Sequence, residues 1–140
     1  MPYFPPSSGG TAATQAEQEA GSSTTVFTTP GRQHFHPSEA KCWGKFTANS
    51  ITIEVSYNIT SVADTATGRM TVTIATDFSG IDWAGFVSTE TATLDANRAL
   101  PTFDSAPAAG TCVLEGALGD GTVADPVAWC FAGFGAHACP

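Results

Sequence analysis

From Ser50 onward the chain alternates apolar and polar residues. Ile51, Ile53, Val55, Tyr57 and Ile59 fall on one side of an extended segment, with Thr52, Glu54, Ser56 and Asn58 on the other. This is the strongest period-two pattern in the sequence, and it predicts a strand half buried along one face. "DTATGR" then predicts a turn, and Met70, Val72 and Ile74 alternate with Thr71 and Thr73 as the hairpin partner. "WAGFVST", residues 83–89, predicts a third strand, and "TCVLEGAL", residues 111–118, a later one. Between them "DANRALPTFDSAPAAG" reads as a long loop or a broken edge strand. The last segment, "PVAWCFAGFGA", is apolar on both sides, with Val127, Trp129 and Phe131 on one and Cys130 and Phe134 on the other. A strand apolar on both faces is covered on both. In a domain this small another subunit can supply the second cover, which makes Val127, Trp129, Phe131 and Phe134 the expected interface.

The region before Ser50 has a different texture. Residues 1–11 are rich in Pro, Ser and Gly and predict an extended, aperiodic start. "TQAEQEAG" predicts a helix over 14–20: Thr14 caps it, Glu17 stands at the reciprocal capping-box position, and Gly21 supplies a left-handed stop. Such a helix is too short to persist alone in water and must dock on something. "SSTTVFTTPG" reads as extended until Pro30-Gly31 turns it, and Pro37-Ser38 open another short helical turn, "PSEAKCW". The organisation expected is an anchor arm over 1–38, with Thr14, Glu17, Pro30 and Pro37 as its anchor positions. A small, mainly β domain over 39–140 follows, an antiparallel sandwich of jelly-roll type.

Composition narrows the function classes. Only 13% of the 140 residues are charged and Thr, Ser, Gly and Ala are abundant, which suits exposed strand faces better than helix surfaces. A net charge of −8 argues against nucleic acid and against an anionic membrane surface, since both require clustered Lys and Arg. No apolar run approaches the ~20 residues of a membrane span, so no membrane insertion is expected. The start "MPYFPPSSGG" lacks the basic and apolar regions of a secretory signal, so synthesis in the cytoplasm is expected. Cys42, Cys112, Cys130 and Cys139 show no CxxC spacing. Cys130 and Cys139 flank "FAGFGAHA", which a disulfide would close; in a reducing compartment all four read as small buried apolar residues.

Candidate chemistry is sparse. His34 and His36 flank Phe35, and three copies around a three-fold axis would present six imidazole nitrogens to an octahedral metal. The simpler reading, adopted here, makes them polar turn residues before Pro37. Ser38 lies beside His36 and Glu39 without any nucleophile-elbow motif. Asp120 and Asp125 lack calcium-loop spacing, and Asn58-Ile59-Thr60 forms a glycosylation sequon that matters only on a secretory route. Trp43, Trp83 and Trp129 read as core or interface aromatics, any of which, if exposed, would suit stacking on a sugar ring. The expectation is a protein that is not an enzyme, with no cofactor and no metal.

"ATQAEQEAG", then "TTPGRQHFHPSEAKCW", then "SYNITSVADTATGRMTVTIATDFSG" resemble, in that order, segments of the short modular virion proteins of tailed bacteriophages, marine ones especially. The first is similar to a fibre piece in which a T-Q-A-E helix precedes a T-P turn, and the second to an H-P-S-A-A-K-A-W joint. Glu39 and Cys42 depart from the small residues of that joint. The resemblance spans roughly residues 13–80. It implies a structural virion protein, commonly trimeric and without catalytic activity: a tail fibre or tail-tip component contacting the host surface, with a capsid decoration protein or head fibre as the alternative. A small carbohydrate-active depolymerase, which would need two carboxylates converging in a groove, is the rival from another class. The partners implied are other virion proteins and a polysaccharide or protein of the host cell surface.

Overall fold

The computed structural model describes residues 10–29, 33, 36, 38–48, 50–91 and 100–136. Pro30, His34, Pro37 and Cys139, on which expectations above rest, lie outside them. The chain divides into two compact units, Met1–Glu39 and Ala40–Pro140.

In the first unit the helix α1, Gln15–Ala20, forms as its sequence dictates. The Thr14 hydroxyl accepts from the Glu17 amide at 3.3 Å, and the Glu17 carboxylate accepts from the Thr14 amide at 2.8 Å. Gly21 closes the helix in the left-handed region, φ 61°, its amide donating to the Glu17 carbonyl. A parallel bridge joins Ala12 to Phe27, so the segment after the helix returns alongside the one before it. Gln18 is the buried residue of the helix, and among the described residues both polar atoms of its amide lack a hydrogen-bond partner, as does one carboxylate oxygen of Glu39. Each such orphan costs about 1–3 kcal/mol. This unit is therefore marginal by itself.

The second unit is all β. Its strands are β1 (Cys42–Thr47), β2 (Ile53–Tyr57), β3 (Ile59–Ala66), β4 (Arg69–Ile74), β5 (Ala84–Glu90), β6 (Leu100–Phe103), β7 (Thr111–Ala117) and β8 (Ala128–Phe134). They form two antiparallel four-stranded sheets, in the orders β2-β1-β8-β5 and β3-β4-β7-β6. The core gathers residues from both sheets: Cys42 and Phe46 of β1 and Trp129 and Phe131 of β8, with Met70, Val72 and Ile74 of β4 and Cys112 and Leu114 of β7. Phe78 and Trp83, from the crossing between sheets, stack 4.5 Å apart with planes 10° from parallel, and the Trp83 indole donates to the Ala108 carbonyl at 3.0 Å. The large rings are accommodated by inward-facing glycines. A Cβ at Gly85 would collide with the Phe103 ring, and one at Gly133 would come within 2.7 Å of the Cys42 sulfur.

Three expectations are corrected here. "KCW" does not belong to a helical turn: Cys42 and Trp43 open β1, where Cys42, Gly44 and Phe46 face the core and Trp43 and Lys45 face out. The stripe over 51–59 is not one strand with one buried face. A bulge on β2, opposite the Lys45–Phe46 step of β1, leaves Glu54 unmatched, so Ile53 pairs with Phe46 and packs on the core while Val55 pairs with Lys45 and is 50% exposed. Asn58, at φ 56°, then reverses the chain, and Ile59 begins β3 in the other sheet. Accordingly the hairpin partner of β4 is β3, with Val62 opposite Val72. The turn between them is tightened at Gly68, φ 70°, whose amide donates to Asp125 at 2.6 Å. A Cβ there would meet the Ala124 and Gly116 backbone, so only glycine fits. Among the described residues no helix is long and apolar enough to cross a membrane.

Candidate functional site: an aromatic trough on one sheet

Antiparallel register aligns outward side chains across a sheet into rows. In the first sheet Tyr57 of β2 lies opposite Trp43 of β1, Trp43 opposite Ala132 of β8, and Ala132 opposite Phe86 of β5. Three of these four are aromatic, and all three are exposed: Trp43 40%, Tyr57 48% and Phe86 68%. The Trp43 and Tyr57 rings stack, centroids 6.5 Å apart with planes 22° from parallel. Phe86 is held edge-on by Phe134, centroids 5.7 Å apart at 90°. Ala132 is the small member of the row, and it leaves a trough of about 450 Å³ between Trp43 and Phe86, floored by β8.

The next row is polar at its centre. Lys45 lines the trough, and its ammonium lies 2.7 Å from Glu90 and 3.3 Å from Glu54, the residue displaced by the bulge. The Glu90 carboxylate first, and Glu54 second, hold the Lys45 pKa above its ordinary value. Val55 on one side of Lys45, and Cys130 and Ser88 on the other, complete that row. The site thus joins aromatic walls to a rim of one ammonium, two carboxylates and a hydroxyl. That is the make-up of a small-ligand site, mostly apolar with a few convergent polar groups.

The expected interface residues separate. Trp129 and Phe131 are buried inside the sandwich, 1% and 4% exposed, so their side chains are spent on the chain's own core. Phe134 lies half-buried on the outer face, and Val127 is exposed just before β8. Of the anchor positions, Thr14 and Glu17 form the capping box. His36 is described, and its Nδ1 lies 2.7 Å from the Ser38 hydroxyl within a local turn. Among the described residues no three His, Cys, Asp or Glu side chains group as a metal site requires. Asp120 caps its own loop by accepting from the Thr122 amide at 2.9 Å, and Asp125 holds Gly68. Asn58 of the sequon spends its amide nitrogen on the carbonyls of Lys41 and Thr76.

Sequence reasoning named Trp43 only as one of three tryptophans and missed Tyr57, Phe86, Lys45 and Ala132 as a set. The signal was present in "CWGKF", where Cys, Gly and Phe alternate with Trp and Lys as a strand with an outward tryptophan. The register that brings Phe86 beside it was not. No protein-family model, curated protein or solved structure matches the chain.

Proposed function

We propose that this chain is a non-enzymatic structural protein of a tailed-phage virion, a tail fibre or tail-tip component whose first unit attaches it and whose sandwich contacts the host surface. The observation that carries this reading is the aromatic outer face of the first sheet, with Trp43, Tyr57 and Phe86 exposed in one row. Exposed apolar patches bordered by polar residues mark interaction sites. The first unit supports the same division of labour. A six-residue helix with orphaned polar groups gains stability from an external surface. The resemblance of residues 13–80 to phage virion segments supplies the setting and the trimeric state. The depolymerase rival is disfavoured by Lys45. Glu54 and Glu90 do converge, but the ammonium stands where a glycosidic oxygen would have to lie between them.

The test is localisation. Mass spectrometry of purified particles should find the chain in fixed copy number, with residues of the first unit cross-linked to a tail protein. Cross-links to the major capsid protein would move it to the head as a decoration protein or head fibre. Absence from purified particles would end the virion assignment.

A further inference from the structure

We propose that the trough between Trp43 and Phe86 binds a sugar ring of a neutral glycan. The proposal deepens the host-contact reading and rests on it for its setting, though not for its chemistry.

Trp43 and Phe86 stand on strands separated by one other, so their backbones are about 10 Å apart, two strand spacings. Ala132 between them keeps the space open. A pyranose has one face of C–H groups and a perimeter of hydroxyls. The C–H face suits the indole of Trp43, which stacks with Tyr57, because aromatic faces carry the negative side of a quadrupole and attract the positive edge of C–H bonds. The perimeter needs donors and acceptors beside the indole. Lys45 has three N–H donors, of which the two carboxylates engage only part, and Glu54 and Glu90 retain free lone pairs toward solvent. Phe86, braced by Phe134, closes the far wall.

Charge selects this occupant over others. One ammonium and two carboxylates leave the rim at −1, on a chain of −8. An acidic polysaccharide would be repelled by both. A second copy docking through the same face would set two −1 rims against each other and desolvate six charges without new partners. A neutral glycan keeps the rim hydrated by hydroxyls while covering the aromatic rings.

The experiment uses the full chain and a panel of neutral hexasaccharides, α- and β-linked, with and without N-acetyl groups, beside an oligouronate of equal length. Isothermal titration calorimetry reports binding in every variant, and the Trp43 indole resonance of the wild type places it. At least one neutral oligosaccharide should saturate, and the oligouronate should not. Trp43→Ala and Ala132→Leu, the second filling the trough while leaving both aromatic walls, should each weaken binding at least tenfold with the circular dichroism unchanged. Saturation by none of the neutral sugars, binding indifferent to both substitutions, or preference for the oligouronate would overturn the proposal. So would a fall in molar mass for Trp43→Ala, which would make this face a contact between copies. Particles that contain the chain while the purified protein ignores sugars would leave the virion reading standing without this one. Sugar binding by a chain absent from particles would do the reverse.

Discussion

Asn58 and Thr76 hold each other by reciprocal hydrogen bonds: the Thr76 amide donates to the Asn58 side-chain oxygen at 2.8 Å, and the Asn58 amide donates to the Thr76 carbonyl at 3.1 Å. The same nitrogen donates to the Lys41 carbonyl at 3.0 Å. Asn58 therefore ties the chain just before β1 to the loop after β4, at the point where β2 of one sheet becomes β3 of the other. Its left-handed backbone, φ 56°, suits asparagine better than most residues.

Asn58→Ala removes these bonds and places an unsuited residue in that conformation, so it should cost about 3 kcal/mol. Asn58→Gly keeps the backbone freedom and loses only the amide, and should cost about half as much. Urea denaturation of both variants checks this. Equal losses would mean that the hydrogen bonds, and not the backbone, carry the whole effect.

The strands most legible in the sequence were those whose alternation coincides with a buried face. Met70, Val72 and Ile74 are inward on β4, and Trp129 and Phe131 are inward on β8. The stripe from Ile51 to Ile59 misled because two local events break its phase: the bulge at Glu54 and the reversal at Asn58. Neither has a signature in a hydropathy pattern, since each depends on the partner strand. The capping box was legible because all its contacts are local. The trough was not, because it assembles Tyr57, Trp43, Ala132 and Phe86 from four strands distant in sequence, and only register makes them neighbours.

Ile51, at the head of that stripe, lies before β2. A β-branched residue at φ 44°, 40% exposed, sits in a conformation that costs roughly 1–2 kcal/mol for side chains of its kind. Ile51→Asn should therefore stabilise the protein by about 0.5–1 kcal/mol after the lost apolar contact is counted, raising Tm by about 3 °C. Ile51→Val, equally β-branched, should give no gain. Calorimetry on both variants decides, and a destabilised Ile51→Asn would show that the side chain's packing outweighs its strain.

Cys42 and Cys112 predict an alkaline limit. Burial pushes both thiols from 9.0 up to about 12 in the folded protein. With the folded pKa above the unfolded one, their contribution is complete below pH 9 and is lost as pH rises from 9 toward 12, because only the unfolded chain releases the protons. The slope is about 1.4 kcal/mol per pH unit for each thiol. Stability measured between pH 8.5 and 10.5 should fall more steeply for the wild type than for a Cys42→Ala, Cys112→Ala double variant. Parallel curves would mean that the thiols do not titrate with unfolding. Native-state alkylation should likewise spare both.

Phe131 and Phe134 lie three residues apart on β8 and should respond oppositely to the same substitution. Phe131 is 4% exposed and packs edge-on against Trp83 at 6.1 Å and Phe103 at 6.4 Å, inside the sandwich. Aspartate there would bury a charge without a partner, a cost of several kcal/mol that exceeds what a marginally stable domain can absorb. Phe131→Asp should not fold. Phe134 is on the outer face, its ring against Phe86 and only half-buried, so an aspartate there reaches water. Phe134→Asp should fold, lose about 1 kcal/mol with the aromatic contact, and keep the wild-type molar mass in light scattering, because the charged rim on the same face of the sheet disfavours self-docking. A folded Phe134→Asp protein of lower mass would put the subunit contact on this face and take the trough out of reach of any glycan.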